Sequence, residues 1–354
     1  MDKINTANLV IDLKNKIRWY HEIISSFGLD YFFVKEDIMI LKIVLLIIGF
    51  IILIKGADFF VDGASNTARN FNVSKMLIGL TIVSFGTSAP EFAVSIQSLL
   101  SGSGDIVLGN VIGSNIINIL LILGASSMFH SLNVKNATVK KELPITMLFS
   151  ILLGVLLSDN LFDKTKNVFT RSDGVVLILF FSVFVYYLIS MMRNKIDDDN
   201  ADEDIIPIKK SLFLTVLGII MIVLGSNFVV DSASFIAKNL GVSERLISLT
   251  IVALGTSLPE LVTSVSATRK GEYDIAIGNV IGSNIFNIGM VIGAPIAIIG
   301  GISKIGFNYI DLLIMIISTI LLFIFSYNDR KISKKEGFVF LTIFIVYYTF
   351  VMIG

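Results

Sequence analysis

The sequence predicts an all-α integral membrane protein: ten transmembrane helices arranged as two inverted-topology repeats of five. Three observations carry that expectation. Of the 354 residues, 54% are apolar and only 16% charged, whereas soluble domains run near a quarter charged. Ten stretches approach the ~20 largely apolar residues that a helix needs to span a bilayer. Finally, residues 56–125 align with 225–294 at a constant offset of 169, without a gap, and 37 of the 70 positions are identical.

Composition also excludes several function classes. Lys and Arg number 28, as do Asp and Glu, so no polybasic character points to nucleic acid. With no cysteine, disulfides, thiolate metal sites and thiol catalysis are excluded. The mean hydropathy of +0.84 makes the lipid bilayer the expected surroundings. No protein partner and no resident cofactor is indicated.

Residues 1–38 are too charged to span, and Asp2 and Asp12 do not fit a signal peptide. Val10, Leu13, Ile17, Tyr20, Ile24 and Phe27 recur at alternating steps of three and four, which predicts an amphipathic helix lying on the membrane surface. Residues 39–192 form the first repeat, with segments expected at 39–66, 73–101, 106–128, 143–159 and 173–192. Residues 193–210, carrying Asp197, Asp198 and Asp199, form the linker. The second repeat is 211–354, with segments at 211–238, 243–268, 274–299, 307–326 and 337–353. Odd-numbered connections hold the larger share of Lys and Arg, among them Arg69, Lys140, Lys141, Arg193, Lys209, Lys210, Arg269 and Lys270. By the positive-inside rule these connections are cytoplasmic. A multi-pass protein of the cell membrane with both termini outside is therefore expected.

An odd number of segments per half forces the second copy into the membrane upside down. Such repeats are typical of secondary transporters, whose sites lie near mid-membrane at the repeat interface. The residues kept between the copies are the polar ones: GTSAPEF (Gly86 to Phe92) matches GTSLPEL (Gly255 to Leu261), and GNVIGSNIINI (Gly109 to Ile119) matches GNVIGSNIFNI (Gly278 to Ile288).

Glu91 and Glu260 lie deep in apolar segments, where an acid costs about 2.5–3.5 kcal/mol on insertion scales and usually marks an ion path. No Lys or Arg lies near the middle of any other expected span to pair with them, so a cation from solution is the natural neutraliser. Pro90 and Pro259 free the carbonyl one turn earlier, at Gly86 and Gly255. The helix is expected to break at Gly-Thr-Ser-X-Pro, unwound backbone lining a cavity. Thr87, Ser88, Thr256 and Ser257 add oxygens there, and Ser84 and Ala253 are candidate further carbonyls. Ser114 with Asn118, and Ser283 with Asn287, are spaced i,i+4 and share a helix face. Asn115 and Asn284 fall off that face and are expected to bond neighbouring backbone. Gly109/Gly113 and Gly278/Gly282 suit close helix packing.

The resulting donor set is all oxygen. Hard cations, Ca²⁺ above all, take six to eight such ligands, while zinc or copper would want imidazole or thiolate. Two carboxylates balance one divalent charge, and several Na⁺ could share the same oxygens in turn. Competition of Ca²⁺ with Na⁺ for one cluster is what exchange requires. Ca²⁺/H⁺ antiport is the close rival, since buried glutamates carry protons. An intramembrane hydrolase using Ser88 or Ser257 is the rival from another class, although His21 and His130 fall outside both motifs.

At these motifs the sequence resembles the Na⁺/Ca²⁺ exchangers of the Ca²⁺/cation antiporter superfamily, over about residues 39–354. The resemblance implies ten helices, outside termini, a cytoplasmic loop between halves, and a transporter rather than an enzyme. It makes Glu91 and Glu260 the central ligands shared by Ca²⁺ and Na⁺. Thr87 and Thr256 would act through backbone oxygens, Ser88, Ser114, Ser257 and Ser283 would line flanking Na⁺ sites, and Asn118 and Asn287 the central polar layer. Some relatives have aspartate at the position of Asn287, as K⁺-dependent exchangers do. Asparagine here implies K⁺-independent transport. The resemblance also implies alternating access by sliding of the first and sixth segments.

Overall fold

A computed structural model describes residues 30–159, 168–193, 206–242, 251, 253–302 and 309–353. The surface helix expected over 10–27 lies outside the described residues. Helix α1 runs Asp30–Asn70, starting before the expected boundary at 39. Lys35 and Glu36 are good helix formers, so the edge of the apolar run does not end the helix.

The remaining helices of the first half are α2 (Lys75–Thr87), α3 (Ala89–Leu100), α4 (Gly104–Phe129), the short α5 (Asn136–Lys140), α6 (Glu142–Leu156) and α7 (Arg171–Arg193). The second half holds α8 (Ile208–Asn239), α9 (Ala253–Thr256), α10 (Leu258–Arg269), α11 (Tyr273–Ile298), α12 (Tyr309–Asp329) and α13 (Lys334–Ile353). Seven of these are long and apolar enough to cross a membrane, or eight with α2 and α3 counted as one broken span. Helix α6, at 15 residues, falls on the fourth expected segment but is shorter than a full span. The described part of the seventh is α9 and α10.

Burial separates the centre from the lipid face. The most apolar stretch of α11 is 94% buried and that of α4 72%, against 11% for α1 and 17% for α13. Helices α4 and α11 are therefore the core around which the others pack. Outside, α1 and α8 lie antiparallel along each other on a glycine seam. A Cβ at Gly63 would stand 2.4 Å from the Thr215 nitrogen, one at Gly56 2.9 Å from that of Ile222, and one at Gly218 2.6 Å from that of Phe60. Small residues along the seam let the two backbones pack this closely. The same close approach, expected of both Gly-xxx-Gly pairs, seats α2 on α11: a Cβ at Gly278 would be 2.9 Å from the Met76 carbonyl oxygen, and one at Gly282 2.6 Å from Ser84 Oγ. A Cβ at Gly109 or Gly113 would meet no described atom within 4 Å beyond its own helix.

Two small β contacts join the halves. Strand β1 (Leu132–Asn133) pairs antiparallel with β2 (Lys331–Ile332), and Phe169 bridges Ile302. The third and ninth connections are thus tied together, and so are the fourth and eighth.

Candidate functional site

Both Gly-Thr-Ser-X-Pro motifs interrupt a helix, as expected. Between α2 and α3 the axis turns by 46°. Ser88 sits at the break with φ −84°, ψ 8°, and Ser257, between α9 and α10, has φ −91°, ψ 4°. The two copies thus adopt one local conformation. The prolines enter the first turn of the following helix, where their missing N–H costs nothing. One residue later stand Glu91 and Glu260, each 1% exposed.

The halves reach across to each other's carboxylate. Ser88 donates to Glu260 Oε1 at 2.8 Å and lies 2.9 Å from Ser283 Oγ. Thr87 also acts on Glu260, while its hydroxyl lies 3.0 Å from Asn279 Oδ1. In the mirror arrangement Thr256 and Ser257 face Glu91, which interacts electrostatically with Glu260. Ser257 lies 3.4 Å from Ser114 Oγ. The expected side chains from both motifs are thereby brought into one cluster.

Its defining property is an excess of acceptors. Glu91 Oε1 and Oε2, Glu260 Oε2, Asn118 Oδ1 and Asn287 Oδ1 are buried and accept no hydrogen bond from the described residues, although Thr256 and Ser257 stand beside Glu91. Orphaned acceptors cost about 1–3 kcal/mol each, and more when charged. The two asparagines turn their nitrogens away: Asn118 Nδ2 donates to Asn284 Oδ1 at 2.9 Å, and Asn287 Nδ2 to Asn115 Oδ1 at 3.1 Å.

One expectation, at Gly255, needs correction. Asn115 and Asn284 bond neighbouring backbone, as expected, and that backbone belongs to the opposite repeat, because α4 and α11 cross side by side there. The Gly255 carbonyl freed by Pro259 accepts from Ser226 Oγ of α8 at 3.0 Å, so that oxygen is already engaged; the first repeat has Ala57 at the matching position. The Ser84 carbonyl accepts the Ser88 N–H at 3.0 Å and lies 3.3 Å from the Thr87 hydroxyl. Of Ala253 only the backbone, opening α9, is described.

Sequence reasoning passed over Asn110 and Asn279. Asn110 Nδ2 donates to the Glu91 carbonyl at 3.1 Å, and Asn279 Nδ2 to that of Glu260 at 3.3 Å. Each ties α4 or α11 to the turn bearing a glutamate. Their identity at the offset of 169 was the available signal. Helices α4 and α11 also widen into π turns beside the cluster, over Ile117–Leu123 and Asn287–Ile292, a feature frequent at functional sites. His130, the one histidine among the described residues, is exposed at the end of α4, so among the described residues no imidazole reaches Ser88 or Ser257.

A family profile described as sodium/calcium exchanger protein matches residues 41–190 and 210–353. The chain is 37% identical over 319 residues to the putative antiporter CaxA of Alkalimonas amylolytica, covering 87% of this chain and 98% of that protein. It is 32% identical over 344 residues to the sodium/calcium exchanger MaX1 of Methanosarcina acetivorans, covering 86% and 96%. Among solved structures, the sodium-calcium exchanger NCX_Mj soaked with 2.5 mM Na⁺ and 10 mM Sr²⁺ superposes with a TM-score of 0.76 at 33% identity, covering 87% of this chain and 98% of that one. The protein, with its paired helix breaks and its crossed glutamates, belongs to the sodium/calcium exchanger family.

Proposed function

We propose that the protein is an antiporter exchanging Ca²⁺ for Na⁺ across the cell membrane by alternating access, with the Glu91/Glu260 cluster as the shared cation site. The observation that carries this reading is the set of five buried oxygens without donors at Glu91, Glu260, Asn118 and Asn287. A cation satisfies acceptors of that kind, and the oxygen-only ligands suit Ca²⁺ or Na⁺. Two carboxylates neutralise one Ca²⁺. An empty cluster would carry its charge through hydrocarbon, so crossing requires an occupant, and exchange becomes obligatory. Ser88, Ser114, Ser257 and Ser283 would serve flanking Na⁺, Thr87 and Thr256 the Ca²⁺ through their carbonyls.

The reading takes the chain as ten crossings in two inverted halves, the linker cytoplasmic and both termini outside. The glycine seam supports α1 and α8 sliding as one body against the rest. Their two ends differ. At the linker end α1 is pinned: Lys270 pairs with Asp62 at 2.7 Å and donates to the Asp58 carbonyl at 2.7 Å. Ser266 donates to Asp58 Oδ1 at 2.7 Å, and Ser65 to Glu272 at 2.8 Å, which also pairs with Lys75 at 2.8 Å. At the other end the matching residues are Asn227, Asp231 and Ser234 on α8, and Gln97, Ser101 and Ser103 near α3. Asp231 has no ion-pair partner among the described residues, and Ser234 Oγ no hydrogen bond. We read this as a carrier closed on the linker side.

The test is ⁴⁵Ca²⁺ uptake into Na⁺-loaded proteoliposomes. Uptake should follow the Na⁺ gradient and vanish when it is collapsed. Uptake indifferent to Na⁺ but driven by a pH gradient would replace Na⁺ with H⁺ in this scheme.

A further inference from the structure

A primary amide at a cation site has two ends of nearly equal shape and opposite use. The oxygen coordinates a cation, and the NH₂ repels it. Rotating the amide by half a turn exchanges them, so an asparagine ligand works only if something else fixes its orientation. At this site the fixing groups are visible.

Asn118 Nδ2 is held by Asn284 Oδ1 at 2.9 Å, and Asn287 Nδ2 by Asn115 Oδ1 at 3.1 Å. The holders are themselves oriented by each other's backbone: Asn115 Nδ2 lies 3.4 Å from the Asn284 carbonyl, and Asn284 Nδ2 3.5 Å from that of Asn115. All four side chains are at most 1% exposed. The result is a closed, two-fold ring of asparagines across α4 and α11, from which two side-chain oxygens, Asn118 Oδ1 and Asn287 Oδ1, emerge without donors.

We propose that Asn115 and Asn284 are positioning residues that aim the amide oxygens of Asn287 and Asn118 at the transported cation, each acting on the ligand of the opposite repeat. Because the two holders clasp one another, the ring also fixes α4 against α11, giving the sliding α1/α8 pair a stationary partner. The inference rests on reading the Glu91/Glu260 cluster as the Ca²⁺ site.

A double-mutant cycle tests it, with half-saturating Ca²⁺ for Na⁺-driven ⁴⁵Ca²⁺ uptake as the readout. Asn284→Leu removes the acceptor at similar volume and should raise that concentration about tenfold, a loss of about 1.4 kcal/mol. In an Asn118→Asp background the same change should cost less than about twofold, since a carboxylate presents oxygen from either end. An equal cost in both backgrounds would make Asn284 a packing residue and overturn the inference. Should Asn284→Leu fail to assemble, Asn115→Leu against Asn287→Asp carries the same test from the other repeat. Absence of Na⁺-driven Ca²⁺ uptake by the unaltered protein would instead overturn the reading of the site itself, and the inference with it.

Discussion

The asymmetry between the two ends of α1 and α8 yields a quantitative prediction. On the proposed reading Lys270 latches the linker end, where it contacts Asp62 and the Asp58 carbonyl, and the residue at its place in the first repeat is Ser101. Replacing Lys270 by Ser removes an ion pair with Asp62 at 2.7 Å, whose side chains are 28% and 48% exposed. A pair that exposed is worth about 0.2–1 kcal/mol. The bond to the Asp58 carbonyl at 2.7 Å adds about 1 kcal/mol, at the low end for a charged donor because the lysine is partly solvated. The sum, about 1.2–2 kcal/mol, shifts the ratio of the two carrier states about 8- to 30-fold. The chain contains no cysteine, so one introduced thiol reports without background. Cys at position 266 faces α1 at the closed end, and its labelling rate measures the minor state open there. Ser266→Cys/Lys270→Ser should label about tenfold faster than Ser266→Cys alone, both lacking the same serine hydroxyl. Adding Ser101→Lys, which gives Asp231 a partner at the opposite end, should favour the reversed orientation further. A change in labelling below about twofold on removing Lys270 would refute the latch, because screening alone cannot hide a bond to a backbone carbonyl.

Glu91→Gln and Glu260→Gln should each lower Na⁺-driven ⁴⁵Ca²⁺ uptake by more than about 100-fold, since each swaps a charged acceptor for an amide that brings a donor into the cluster; near-normal uptake in either would remove that glutamate from the site. Ser226→Ala should leave the Gly255 carbonyl without its side-chain donor and lower the unfolding free energy in detergent by about 1–3 kcal/mol, read as a fall in the thermal midpoint. Gly63→Ala should place a methyl 2.4 Å from the Thr215 nitrogen, forcing the α1/α8 seam apart at a cost of about 1–3 kcal/mol; the same midpoint measurement checks it, and Gly102→Ala, where nothing lies within 4 Å but φ is +75°, separates backbone strain from crowding.

Much of the fold was legible because the bilayer imposes a length and a polarity, and the duplication made the rest self-checking. A buried glutamate, a proline and a glycine recurring 169 residues apart are a statement about a helix break, and the break stands at Ser88 and Ser257. What stayed hidden depends on which helices cross. No periodicity within α4 reveals that Asn115 faces Asn287 on α11, for that contact exists only once the two helices are apposed. The capture of the Gly255 carbonyl by Ser226 was hidden for the same reason: it joins two segments 29 residues apart and has no counterpart at Ala57. Helix α1 ran past its expected start because hydropathy marks where lipid begins, which is not where a helix must.

The pattern of divergence between the repeats carries its own argument. A site visited from both sides must offer the same ligands in either orientation, so residues that touch the cation cannot drift independently in the two halves. That holds at Thr, Ser, Pro and Glu of the first motif and at Ser and Asn of the second, all identical across the offset. The ends of the sliding pair obey no such requirement, since each closes only one state. There the copies part: Lys270 answers to Ser101, Glu272 to Ser103, Asp58 to Asn227. If the protein works as proposed, symmetry at the centre permits exchange, while asymmetry at the rims sets the resting orientation, a difference of only a few kcal/mol being enough to place most carriers on one side. A carrier built this way can be retuned at its rims without disturbing what it binds.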